Sequence, residues 1–195
     1  MSPGAPALLA VFVWLSSPEV LGAVLLAALC HELGHYAALR RRGGWVRAVR
    51  ISALGAEMLV AGRMSYGGEL LAAAAGPAVN LLLAAALGLL GRWWEPLYLL
   101  AGAQAVLGCF NLLPILPLDG GRMLWLALCW GTDPFLADRV AQAVSLAAAG
   151  LLTVAGAALA RRSPFLLWTA AALLVCAAAP CIKRRRSVYA SHKGR

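Results

Sequence analysis

Six apolar runs, near residues 5–17, 20–40, 69–90, 95–113, 139–160 and 164–182, constrain this chain more than any other feature. A helix that crosses a bilayer needs about 20 mostly apolar residues. Backbone in lipid must also satisfy its own hydrogen bonds, so runs of this length are expected to be helices packed into a bundle. The expected fold is therefore an all-α polytopic membrane protein of about six transmembrane helices. The first run is short and stops at "SSPE", so it needs tilt, neighbouring helices or partial insertion. Composition agrees, with 62% hydrophobic and 13% charged residues against roughly 45–50% apolar in a soluble domain. No long polar segment interrupts the runs. Residues 1–182 thus read as one transmembrane domain and 183–195 as a basic cytoplasmic tail. The N-terminal "MSPGAPALLAVFVWL" lacks a basic leading region, which argues against a cleaved signal peptide.

The formal charge of +9 does not point to nucleic acid. The bases stand in short clusters beside apolar runs, a pattern that reports topology. With six spans and a cytoplasmic N-terminus, all of the 17 Lys and Arg except Arg92, Arg161 and Arg162 fall on the cytoplasmic side. That asymmetry favours both termini inside. It also places "RRR" at 40–42, and the histidines just before it, at the cytoplasmic end of the second span. The tail "KRRRSVYASHKGR" reads as a topological anchor, with contact to anionic lipid or to a partner as the alternative. The five cysteines lack a CxxC pair and read as buried thiols, with Cys181 near enough to the membrane edge for acylation.

Two regions do not fit a spanning helix. Residues 45–66, "WVRAVRISALGAEMLVAGRMSY", mix β-branched residues, glycine and alternating polarity, which suits short strands between helices two and three. Residues 111–123, "NLLPILPLDGGRM", place two prolines and two glycines at the end of an apolar run. Irregular backbone at membrane depth is tolerated where it lines a site.

The chemistry concentrates in "CHELGHYAALRRR", residues 30–42. His31 and His35 are four apart on an expected helix and project from one face, so both imidazoles can reach one cation. Glu32 stands beside the first of them, as the HExxH pattern of zinc hydrolases requires of its general base. The chain holds only three histidines, so this pattern is well above chance. Ionisable groups inside a membrane are costly, about 2.5–3.5 kcal/mol for Asp at a helix centre on insertion scales, which argues against an ornamental role. Zinc in a hydrolase takes three protein ligands and keeps one open position. His192 lies in the basic tail and is a poor third ligand. Asp119 in "PLDGG" is the strong one, because it sits at the backbone break and on the same side as the histidines. Asp133 and Asp138 read as solvated or helix-capping, and Glu57 and Glu69 as the polar edge of the 45–69 region.

"HELGH", "AGPAVN" and "FNLLPILPLDGGR", in that order and separation, resemble the site-2 protease family of intramembrane zinc metalloproteases. The wording of the third motif is most similar to the sporulation-type members that process a sigma-factor precursor. The resemblance spans roughly residues 5–182. It implies one zinc ion held by His31, His35 and Asp119, with Glu32 as catalytic base. It implies that Asn111 positions substrate and that Gly76, Pro77 and Asn80 shape the neighbouring helix around it. For Asn80 and Asn111, tying helices together is the competing role. It also implies that the 45–66 region forms a membrane-associated β-hairpin whose edge pairs with an unwound substrate. Implied partners are a membrane-associated protein substrate, inhibitory membrane proteins and the bilayer. Sporulation-type relatives often carry a nucleotide-sensing CBS domain after the membrane core, which is not expected after residue 182. Two alternatives remain at this stage. One is a site-2 protease that cuts an anti-sigma factor or remnant signal peptides. The other, of a different class, is a zinc transporter or sensor.

Overall fold

The computed structural model describes residues 17–159 apart from 53–54, 62–63 and 117, with backbone alone for 45–52, 55–61 and 159. The expected spans at 5–17 and 164–182 and the basic tail lie outside the described residues. By internal packing the chain divides into two compact units, Met1–Leu112 and Leu113–Arg195.

In the first unit, helix α1 runs Pro18–Arg41. Pro18 starts it at a position whose N–H has no helical partner in any case, and Ser17 Oγ accepts from Val20 N–H at 3.4 Å. Arg40 and Arg41 close it, where cations suit the negative end of the helix dipole. The chain then turns through Gly43 at φ +77°, which a glycine adopts without steric cost. Strands β1 (Trp45–Ser52) and β2 (Gly55–Ala61) follow as an antiparallel pair, with a register irregularity between Val46 and Ala48. Helix α2 (Tyr66–Leu90) is capped by Ser65, whose Oγ accepts from Gly68 N–H at 3.2 Å, and contains Pro77. Helix α3 spans Leu97–Asn111.

Small residues bring these helices together. The buried face of α1 is Ala23, Ala27, His31 and Gly34; that of α2 includes Gly68, Ala72, Gly76 and Asn80; that of α3 is Ala101, Gln104 and Gly108. Helices gain little from apolar burial in lipid, so close backbone approach is what holds such a bundle. A Cβ at Gly34 would lie 2.8 Å from the Ala75 carbonyl oxygen, and one at Gly108 3.1 Å from Asn80 Cβ. The large residues face outward instead: Leu25, Leu29, Leu33 and Leu82 are exposed, as lipid-facing positions should be.

In the second unit, helix α4 covers Asp119–Gly131 and α5 covers Pro134–Leu159. Asp133 caps α5, its Oδ2 accepting from Phe135 N–H at 2.9 Å, in line with the capping role read from sequence. Ala137, Ala141, Ser145 and Ala149, each one turn apart, form the buried stripe of α5, and Leu126 and Cys129 face inward from α4.

Among the described residues, Pro18–Arg41, Tyr66–Leu90 and Pro134–Ala158 are long and apolar enough to cross a membrane, and Leu97–Asn111 is a shorter apolar helix. These correspond to four of the six expected runs. The α4 helix was not anticipated, because its "DGG" start reads as a turn. Of the cysteines expected to be buried, Cys129 is, Cys30 is half-buried and Cys109 is exposed on α3. A thiol on an apolar helix face is as content against lipid as against protein, so position in an apolar run does not fix burial.

Candidate metal centre

His31 and His35 project from adjacent turns of α1 with ring centroids 4.7 Å apart and ring planes at 85°. His31 is buried and His35 half-buried. The α2 backbone fixes the second ring: His35 Nδ1–H donates to the Ala72 carbonyl at 2.8 Å. That bond assigns the proton to Nδ1 and leaves the Nε2 lone pair outward, the arrangement a metal-ligating imidazole needs. His35 Nε2 then meets His31 Nε2 at 3.1 Å. Two lone pairs facing at that distance repel unless a proton or a cation lies between them. Two nitrogens on one tetrahedral zinc are about 3.3 Å apart, given bonds of about 2.0–2.1 Å, so the pair fits the ion.

Gly76 makes the space. A Cβ there would fall 2.6 Å from His35 Cε1 and 2.8 Å from Cδ2, so any side chain would displace the ring. Pro77, next along, is fully buried. Asn80, one turn beyond Gly76, is also fully buried, and neither of its amide atoms has a hydrogen-bond partner among the described residues. Asn111 ends α3 and turns its amide back onto its own helix, Nδ2–H donating to the Leu107 carbonyl at 3.1 Å. Glu32, half-buried, follows His31 directly on α1.

Asp119 is the first residue of α4, where a carboxylate suits the positive end of the helix dipole. The preceding loop folds back over that turn: a Cβ at Gly121 would lie 2.5 Å from the Ile115 carbonyl carbon and 2.6 Å from Leu116 N. Leu116 N–H donates to Ser145 Oγ on α5 at 2.9 Å. The loop between the prolines is thereby tied down, and Asp119 starts its helix from a fixed point. Among the described residues, His31, His35 and Asp119 offer donor atoms that could hold a metal ion. Two imidazoles and a carboxylate form the donor set of a hydrolytic zinc site with one position open.

Residues 89–155, which include Asp119 but not the histidines, match the family model for peptidase family M50. Rip3 of Mycobacterium tuberculosis, which bears the name of a zinc metalloprotease, is 37% identical over 139 residues, covering 59% of this chain and 32% of Rip3. A zinc metalloprotease of Methanocaldococcus jannaschii is 28% identical over 108 residues, covering 52% of this chain and 32% of that protein. The matched stretch thus spans about a third of each relative's length. Among solved structures, the site-2 protease from M. jannaschii shares the fold, with a TM-score of 0.69 over 88% of this chain and 82% of that one, at 21% identity. The family match therefore covers about a third of this chain, and the structural likeness is one of fold.

His31, His35 and Asp119 are each ligand candidates from the sequence reading. It missed the Ala72 carbonyl, Ser145 and Gly121. A backbone acceptor leaves no mark in the sequence, and a serine on an apolar helix is not distinctive. The glycine doublet after Asp119 was the available signal for Gly121.

Proposed function

We propose that the chain is an intramembrane zinc metalloprotease that hydrolyses a peptide bond in or near the membrane segment of a regulatory protein. The observation that carries this reading is the pair of imidazole Nε2 atoms 3.1 Å apart, the second ring held by the Ala72 carbonyl. His31, His35 and Asp119 would hold the ion, one per chain. When bound, zinc supplies Lewis acidity toward water and toward the scissile carbonyl. Glu32 accepts the proton of the attacking water and delivers it to the departing amine nitrogen, so one carboxylate serves as base and then as acid. Helical backbone hides its carbonyls in hydrogen bonds, so the substrate must unwind before it reaches Glu32. The β1–β2 pair offers a strand edge for an extended segment, and the motif wording assigns Asn111 to positioning it.

The reading extends to topology and substrate. Six spans put both termini and the site toward the cytoplasm, as the Lys and Arg asymmetry favours. The motif wording favours a membrane-associated sigma-factor precursor of the sporulation type over an anti-sigma factor or remnant signal peptides. Inhibitory membrane proteins are the expected regulators. The test is reconstitution of the chain in liposomes with membrane-spanning reporters built from each substrate class, with and without a helix-breaking residue. Cleavage should require the helix-breaking residue, fall below detection with a zinc chelator, and return on adding zinc. Cleavage unaffected by chelation would exclude the metal mechanism, and zinc flux without cleavage would favour a transporter.

A further inference from the structure

Gly76, in the middle of α2, stands against the His35 imidazole. Ala72 accepts the His35 Nδ1 proton at 2.8 Å, and Gly76 leaves the volume that the His35 ring occupies. Pro77 follows Gly76 inside the helix, and Ala72, Ala73, Gly76 and Pro77 are all buried. In an unbroken helix each carbonyl accepts from the N–H four residues on. Pro77 has no N–H, so the Ala73 carbonyl has no donor at that rung of the helix, and a proline ring crowds the carbonyl four residues before it. Ala72 stands one residue before that carbonyl, and a carbonyl has two lone pairs, of which the ladder uses one.

We propose that Pro77 is a positioning residue for the metal centre: by opening the α2 ladder it presents the Ala72 carbonyl to His35 and so fixes which His35 nitrogen faces the ion. Gly76 admits the ring and Pro77 directs it. Such partners of a metal-ligating histidine set its tautomer and orientation, and their loss typically weakens metal affinity 10- to 100-fold. The inference gives Pro77 a role toward the ligand rather than toward substrate. It rests on the zinc-binding reading above.

The experiment compares the full chain with Pro77→Ala in detergent. It measures zinc affinity by chelator competition, the unfolding temperature of the zinc-free protein, and the 15N signal of His35 Nδ1–H. Alanine restores a regular helix, so the zinc-free variant should unfold at a higher temperature. Its zinc affinity should nevertheless fall about 10- to 100-fold, and the Nδ1–H signal should be lost. A proline that served packing alone would move stability and affinity in the same direction. Affinity within about threefold of the parent, or a retained Nδ1–H signal, overturns the proposal. Should Pro77→Ala fail to fold, a second variant decides: lactic acid in place of Ala73 makes the Ala72 carbonyl an ester and a weaker acceptor without touching the proline. Reduced zinc affinity there supports the proposal and unchanged affinity overturns it. A parent chain that binds no zinc overturns the metal assignment itself, whereas equal binding by parent and variants overturns only the role of Pro77.

Discussion

Glu32→Gln is expected to slow peptide hydrolysis by about 10²- to 10⁴-fold, the range that a positioned general acid–base contributes. The loss should fall on kcat with KM little changed, because the proton transfer occurs only in the transition state. Glutamine keeps the size and hydrogen-bonding capacity of the half-buried side chain beside His31, but it cannot take a proton from water. Zinc content should stay at one per chain, since the ligands are untouched. Single-turnover cleavage of a reporter in liposomes, with metal analysis of the same sample, reads both quantities. A variant that cleaves at the parent rate would show that another group is the base, and one that loses zinc would show that Glu32 is a ligand.

Asp119→Ala is expected to remove zinc binding, with affinity falling by more than the 10- to 100-fold that outer-shell losses cost, because a ligand itself is lost. Binding to the folded state alone stabilises a protein by RT ln(1 + [L]/Kd), about 2.7 kcal/mol at a hundredfold excess over Kd. The parent chain should show that stabilisation when zinc is added in thermal unfolding, and Asp119→Ala should show almost none. The zinc-free variant should unfold near the zinc-free parent, since Asp119 occupies the first turn of α4, where its dipole interaction contributes about 0.3–1 kcal/mol. An undiminished zinc response would place the third ligand elsewhere.

Much of the site was legible because its chemistry lies in side chains at fixed spacing. His31 and His35 share a helical face by spacing alone, and Asp119 stood out as a carboxylate at a backbone break in apolar sequence. The helices were legible in so far as apolar length sets them: α1, α2, α3 and α5 all fall on apolar runs, with ends shifted by a few residues. What could not be read is backbone and packing. The Ala72 carbonyl that orients His35, the Ser145 hydroxyl that accepts from Leu116 N–H, and the short α4 helix each depend on tertiary arrangement. The motif around Asn80 suggested contact with substrate or a tie between helices, and the structure buries it fully against Gly108.

The central claim is a single zinc ion on His31, His35 and Asp119, and X-ray absorption at the zinc edge of the purified full chain tests it most directly. The account predicts two imidazole nitrogens and oxygen ligands at about 2.0–2.2 Å, with no sulfur near 2.3 Å, and loss of the imidazole signature in His35→Ala. A zinc shell containing cysteine sulfur, or one unchanged in His35→Ala, would contradict it.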